Sequence, residues 1–133
     1  MTISYKNTVK HTLKPSLHPY LNGAWTPNFD ELTATDLEVI GTIPSDIDGV
    51  YIRNTENPVH EAIGHYHPFD GDGMLHAMVF KDGKAEYRNR FVRTKGFDAE
   101  QEAGEAIWAG IANNPKKSKR PGWGAQGYLK DAS

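Results

Sequence analysis

The sequence contains no cysteine. A disulfide framework, a zinc ribbon and a thiol nucleophile are therefore excluded, and a reducing cytoplasm is the compartment that fits. No apolar run approaches the ~20 residues that a membrane-spanning helix needs. The opening stretch, MTISYKNTVKHTLKP, also lacks the apolar core of a signal peptide. Excess charge is lacking too: 15 basic and 17 acidic side chains leave a formal net charge of −2. Nucleic-acid phosphates need a net or clustered positive surface, so no nucleic-acid partner is expected.

What the sequence has is punctuation. Thirteen glycines and eight prolines in 133 residues mark many turns, which suits an all-β chain of single-domain size. Asp-Gly pairs fall at 48–49, 70–71, 72–73 and 82–83. Residues 1–35 read as a polar, extended arm broken by Pro15, Pro19 and Pro27, with Tyr20, Trp25 and Phe29 as aromatic anchors. In DLEVIGTI, Leu37, Val39 and Ile43 share one parity, which predicts a strand. VYIRN predicts a short strand and residues 55–68 a loop. MLHAMVF predicts a strand with Met74, His76, Met78 and Phe80 on one face and Leu75, Ala77 and Val79 on the other. A strand apolar on both faces belongs inside a sheet. Asp82-Gly83 predicts a hairpin turn, and AEYRNRFVRT the returning strand. A helix follows over about 98–112, with Asp98 and Gln101 as a capping pair. After the basic loop KKSKRPGWG, the segment GAQGYLKDAS reads as the approach to another strand.

The chemistry-bearing residues concentrate in HYHPFDGDGMLHAMVF, His65 to Phe80. His65 and His67 have the spacing of imidazole metal ligands, which His60 and His76 could complete. The competing reading is that they flank a turn and hydrogen-bond to backbone or solvent. Asp70-Gly71-Asp72-Gly73 begins like a calcium loop, but the twelfth position from Asp70 is Lys81, where such a loop needs a bidentate Glu. A structural turn is the better reading: the aspartates accept backbone N–H bonds and Gly71 or Gly73 supplies positive φ. Arg88 and Arg90 share strand parity and form, with Arg53 and Arg93, a charged group for which Glu86 and Asp72 are candidate partners. No glycine-rich phosphate loop, G-x-S-x-G or H-E-x-x-H is present.

Taken in order, these segments resemble the carotenoid oxygenase family, the iron-dependent carotenoid and stilbene cleavage dioxygenases. PYLNGAWTPNFDELTATDLEVIGTIPSDIDGVYIRN is similar to the family's opening, in which an arm leads to a G-x-I-P…L-x-G-x-Y-x-R-N-G-P-N-P segment. Here that segment reads GTIPSDIDGVYIRNTENP. HPFDGDGMLHAMVFKDGKAEYRNRFVRT is similar to the family's H-x-F-D-G-D-G-M-x-H strand pair and its NRFVRT return. The resemblance covers residues 19–97. Thr55 and Glu56 stand where the family has Gly-Pro, a change confined to one loop.

The resemblance implies an all-β fold, part of a seven-bladed β-propeller with Fe(II) held on its axis by four histidines from four blades. It implies that those ligands lie beyond Ser133. None of His11, His18, His60, His65, His67 and His76 matches a ligand position, so no cofactor and no activity are expected of this chain alone. Residues 1–133 would be the N-terminal portion of one propeller domain: an extended arm over 1–35, strands over 36–97, and a helix or loop excursion over 98–133. The complete enzyme would take a lipophilic polyene and O2, and would cleave a conjugated C=C bond of a carotenoid or apocarotenoid into two carbonyl products. The alternatives are a catalytically inactive remnant and a small His-rich metal-binding β-domain. In EAIWAGIANNPKKSKRPGW, Ile107, Trp108 and Ile111 are candidate peripheral membrane contacts, with Lys116, Lys117, Lys119 and Arg120 meeting anionic headgroups. The competing reading packs Ile107 and Ile111 on the propeller.

Overall fold

Asp82 and Gly83 both adopt left-handed backbone, with φ of 52° and 72°. Two such residues in succession make the tight turn whose twist suits a β-hairpin, and the chain reverses here as the sequence predicts. The structure, a computed structural model, describes residues 1–123, 127, 128 and 130. Its strands are β1 (Thr2–Thr8), β2 (Asp30–Thr35), β3 (Gly49–Glu56), β4 (Gly73–Lys81) and β5 (Lys84–Phe91), and helix α1 (Lys95–Ala103) follows them. All pairings are antiparallel, in the order β1-β2-β5-β4-β3.

The unbroken register from Met74↔Phe91 to Lys81↔Lys84 puts Met74, His76, Met78 and Phe80 beside Phe91, Asn89, Tyr87 and Ala85 on one face. Leu75, Ala77 and Val79 point the other way. β4 lies between β5 and β3, the interior place its two apolar faces require. The core forms at one end of the first face, where Met74 and Phe91 meet Val9 and Phe29 of the arm, Val59 of the loop and Phe97 of α1. Phe91 and Phe97 stack at 5.1 Å between ring centres. Each such side chain, fully buried, contributes about 1.5–3 kcal/mol. The opposite face and the free edge of β3 stay open, with Val50, Ile52 and Leu75 exposed.

Three expectations are corrected. Residues 1–35 are more than an extended arm, because they supply β1 and β2. β1 is exposed throughout and so has no hydrophobic period to betray it. DLEVIGTI, conversely, has the period but forms no strand. Leu37 N–H reaches Ala85 O at 3.4 Å, and Gly41 turns to a φ of 94°, which ends any extended run. The helix starts and stops earlier than 98–112. Thr94, not Asp98, is its N-cap, with its side chain accepting from Phe97 N. Gly104, at a φ of 73°, is the left-handed stop. Residues 124–126, 129 and 131–133, on which the anticipated last strand falls, lie outside the described residues.

Candidate functional site

The His65–Phe80 stretch builds a polar turn in front of β4. His67 caps a short 3₁₀ turn, Pro68–Asp70: its Nδ1 accepts from Phe69 N at 3.1 Å, and Asp70 Oδ2 accepts from His67 N at 3.1 Å. The other Asp70 oxygen accepts from Ile111 N at 2.7 Å. Asp70 thus satisfies backbone N–H groups on two segments. Gly71 does not supply positive φ; it sits at −65°, and Gly73 is not left-handed either. The glycine at 71 is needed for a different reason. A Cβ there would stand 2.9 Å from Asn57 N and Glu56 C, backbone atoms that cannot yield.

Asp72 is buried and pairs with Lys130, which also binds Glu100 of α1 at 2.5 Å. Burial acts to lower the Lys130 pKa, but the two carboxylates outweigh it and hold the ammonium above its ordinary value. Glu100 Oε2 also accepts from Ile107 N at 2.7 Å. Asp70, Asp72, Glu100 and Lys130 line a cavity of about 210 Å³, together with Trp108 and His60. Burial pushes the His60 imidazole below its ordinary value despite the Glu100 charge, and pushes the Tyr66 phenol on the same cavity up, with Asp70, Glu56 and Asp72 adding to the effect. Two polar atoms near this cavity, His60 Nε2 and Trp108 Nε1, are buried with no hydrogen-bond partner among the described residues.

The four candidate ligand histidines are not brought together as a site. His65 is exposed, with its backbone tied to the Asn113 amide. His67 spends Nδ1 on the cap. His60 faces Thr12 Oγ1 at 3.4 Å. His76 uses both ring nitrogens, one to Tyr87 Oη at 2.6 Å and one to Thr55 Oγ1 at 3.0 Å. Among the described residues no three His, Asp or Glu side chains are placed to hold a metal ion, and these residues do not fit the iron centre implied by the resemblance. The arginines divide. Arg88 pairs with Glu86 at 2.6 Å. Arg90 instead stitches β5 to β2 through Leu32 O and Thr33 Oγ1, and Arg93 meets buried Glu31 at 2.5 Å.

The three candidate membrane contacts also divide. Ile107 and Trp108 are each only 5% exposed, whereas Ile111 is 60% exposed. Trp108 packs against Trp123 and under Arg120. Ile107 and Trp108 are therefore interior residues, because the chain beyond Gly104 folds back over Glu100. Sequence reasoning missed Lys130, Glu100 and Glu31. No local signal marks them, since each gains its partner across tens of residues.

A meander of three antiparallel strands, widened on one edge by strands from an N-terminal arm and left open on one face, has the form of a propeller blade. The chain belongs to the carotenoid oxygenase family: the family model of retinal pigment epithelial membrane protein (RPE65) matches residues 25–131. It is 53% identical over 81 residues to a carotenoid cleavage oxygenase of Mycobacterium tuberculosis, covering 59% of this chain and 16% of that one. It is 42% identical over 101 residues to the probable chloroplastic carotenoid cleavage dioxygenase 4 of Arabidopsis thaliana, covering 74% and 17%. Among solved structures, the lignostilbene dioxygenase of Pseudomonas brassicacearum superposes with a TM-score of 0.69 at 28% identity, covering 74% of this chain and 21% of that one. A cobalt-substituted Synechocystis apocarotenoid oxygenase gives 0.57 at 38%, covering 64% and 18%. The chain spans about a sixth of the length of the curated relatives it matches. Its sheet is a partial β-propeller.

Proposed function

We propose that this chain is the N-terminal scaffold of a non-haem Fe(II) dioxygenase that cleaves a conjugated C=C bond of a carotenoid or apocarotenoid with O2. The observation that carries the reading is the 53% identity over 81 residues to a carotenoid cleavage oxygenase. The ferrous ion, when bound, would supply O2 binding and activation, and its histidine ligands would come from other blades. The residues described here do structural work. β3 presents a free edge, and Val50, Ile52 and Leu75 present an open apolar face, which neighbouring blades would cover. The absence of cysteine supports a cytoplasmic setting.

The test is to purify the native protein from its source, measure its intact mass, load it with Fe(II), and supply a carotenoid, an apocarotenal and a hydroxylated stilbene under air. Aldehyde products from one of the two polyenes support the reading. Products from the stilbene alone would move the substrate class. Absence of product from all three, in iron-loaded protein of the relatives' length, would overturn it. A native mass equal to that of residues 1–133, with no product, would favour the inactive remnant.

A further inference from the structure

His76 stands in the middle of three strands, with Arg53 of β3 on one side and Asn89 of β5 on the other. Its hydrogen bonds define its tautomer. Thr55 Oγ1 donates its single hydrogen to Met74 O at 3.2 Å. It must therefore accept from the imidazole, so His76 Nε2, 3.0 Å away, carries the N–H. A neutral imidazole has only one such hydrogen. Nδ1 is left with its lone pair, and that lone pair lies 2.6 Å from Tyr87 Oη. Tyr87 is the diagonal neighbour on β5, and its ring lies 6.0 Å from the imidazole at an interplanar angle of 30°. The phenol thus donates a short hydrogen bond to a base whose proton-accepting atom is fixed in place.

Burial and then Arg53 push His76 below its ordinary value, so it is neutral at pH 7. Burial pushes the Tyr87 phenol up, so the phenol keeps its proton. Such a phenol gives up an electron readily only if its proton leaves in the same step. Tyr5, Tyr20, Tyr51, Tyr66 and Tyr128 have no hydroxyl–histidine bond among the described residues.

We propose that Tyr87 and His76 form a redox pair that reduces organic peroxyl radicals, the one-electron oxidants that arise where polyenes meet O2. The phenol loses one electron to the peroxyl radical, which becomes a hydroperoxide anion. The Tyr87 O–H bond breaks and a His76 Nδ1–H bond forms, leaving a neutral tyrosyl radical beside an imidazolium. The imidazolium proton then passes to the hydroperoxide anion, giving a neutral hydroperoxide and leaving the tyrosyl radical beside a neutral imidazole. The pair is complete within this chain; the choice of peroxyl radicals as its oxidant rests on the polyene and O2 of the proposed function, whereas the oxidation of the pair itself does not.

The probe is flash-generated tris(bipyridine)ruthenium(III) acting on the 133-residue chain, with tyrosyl radical followed by transient absorption. Tyr87→Phe should remove the fast phase and leave the slower oxidation of the other tyrosines. His76→Gln retains a hydrogen-bonding side chain but not a base, and should slow the fast phase about tenfold or more. In the wild-type chain the fast phase should fade as pH drops and His76 takes a proton, and the variant should show no such profile. Circular dichroism confirms that each variant is folded. A measurement without substitutions covers the case in which one is not: high-field paramagnetic resonance of the wild-type radical should show an exchangeable proton coupling that deuterium removes. An unchanged rate in folded Tyr87→Phe or His76→Gln, or a radical without that coupling, would overturn the proposal.

Discussion

Gln101 holds both backbone polar groups of Lys10. Its Oε1 accepts from Lys10 N at 2.9 Å and its Nε2 donates to Lys10 O at 2.8 Å. One amide thus closes the arm onto α1 next to Val9, which is part of the core. Gln101→Glu keeps the acceptor but loses the donor to Lys10 O, and Gln101→Leu loses both. We expect losses of about 0.5 and 1 kcal/mol respectively, read as urea midpoints, with faster amide exchange at Lys10 in both. Equal stability of Gln101→Leu and wild type would remove this contact from the account.

Three glycines should respond to alanine in three ways. Gly104 has open space around it but a φ of 73°, so only backbone strain opposes a Cβ, at about 1 kcal/mol. Gly71 has ordinary backbone but rigid atoms 2.9 Å from the added carbon, so the cost should reach about 2–3 kcal/mol. At Gly110 the added carbon would collide with the Asp70 carboxylate and detach it from Ile111 N and His67 N, at about 2 kcal/mol. Thermal midpoints should rank Gly104→Ala above both of the others. A Gly71→Ala protein as stable as Gly104→Ala would contradict the close approach.

Lys130 pairs with both Asp72 and Glu100. Lys130→Met fills similar volume but leaves two buried carboxylates facing each other. We expect a loss of about 3 kcal/mol or more, visible as increased protease sensitivity between Gly104 and Lys130. Pairing it with Asp72→Asn should recover part of that loss. A Lys130→Met protein as stable and as protease-resistant as the wild type would show that the network is not what anchors this segment.

How much of this was legible depends on where each partner sits. The Asp82-Gly83 hairpin was readable because its signal and its consequence are adjacent. The two faces of β4 were readable because alternation is local. β2 was not, since its buried members are Glu31 and Ala34, and a buried glutamate looks like a surface residue until Arg93 and Phe91 N arrive from β5 and beyond. The helix start was misplaced for the same reason. Thr94 sits at the end of the NRFVRT strand pattern, which hides its role as a cap. The metal-like histidine spacing was real, but His60, His67 and His76 turn their rings to separate partners, and His65 is held through its backbone.

Stability should fall on the acid side. His60 and His76 both sit below the ordinary imidazole value in the folded chain, chiefly through burial. Their contribution is therefore fully present above about pH 6.5, the unfolded value. It is lost as pH falls from there toward the lower folded values, because the unfolded chain takes up protons first. Urea midpoints between pH 7.5 and 5 should decline accordingly, and His76→Gln should flatten part of that slope. A midpoint rising over this interval would contradict the sign.

The order β1-β2-β5-β4-β3 also sets a timetable. β3, β4 and β5 are neighbours in sequence and can zip together as they leave the ribosome. Thr33 of β2 must wait for Arg88, and Lys10 must wait for Gln101. The part of the chain that is synthesised first is therefore seated last. Until then the β5-facing edge of β2 is the natural target of a nascent-chain chaperone, and pausing translation before β5 should lengthen that exposure.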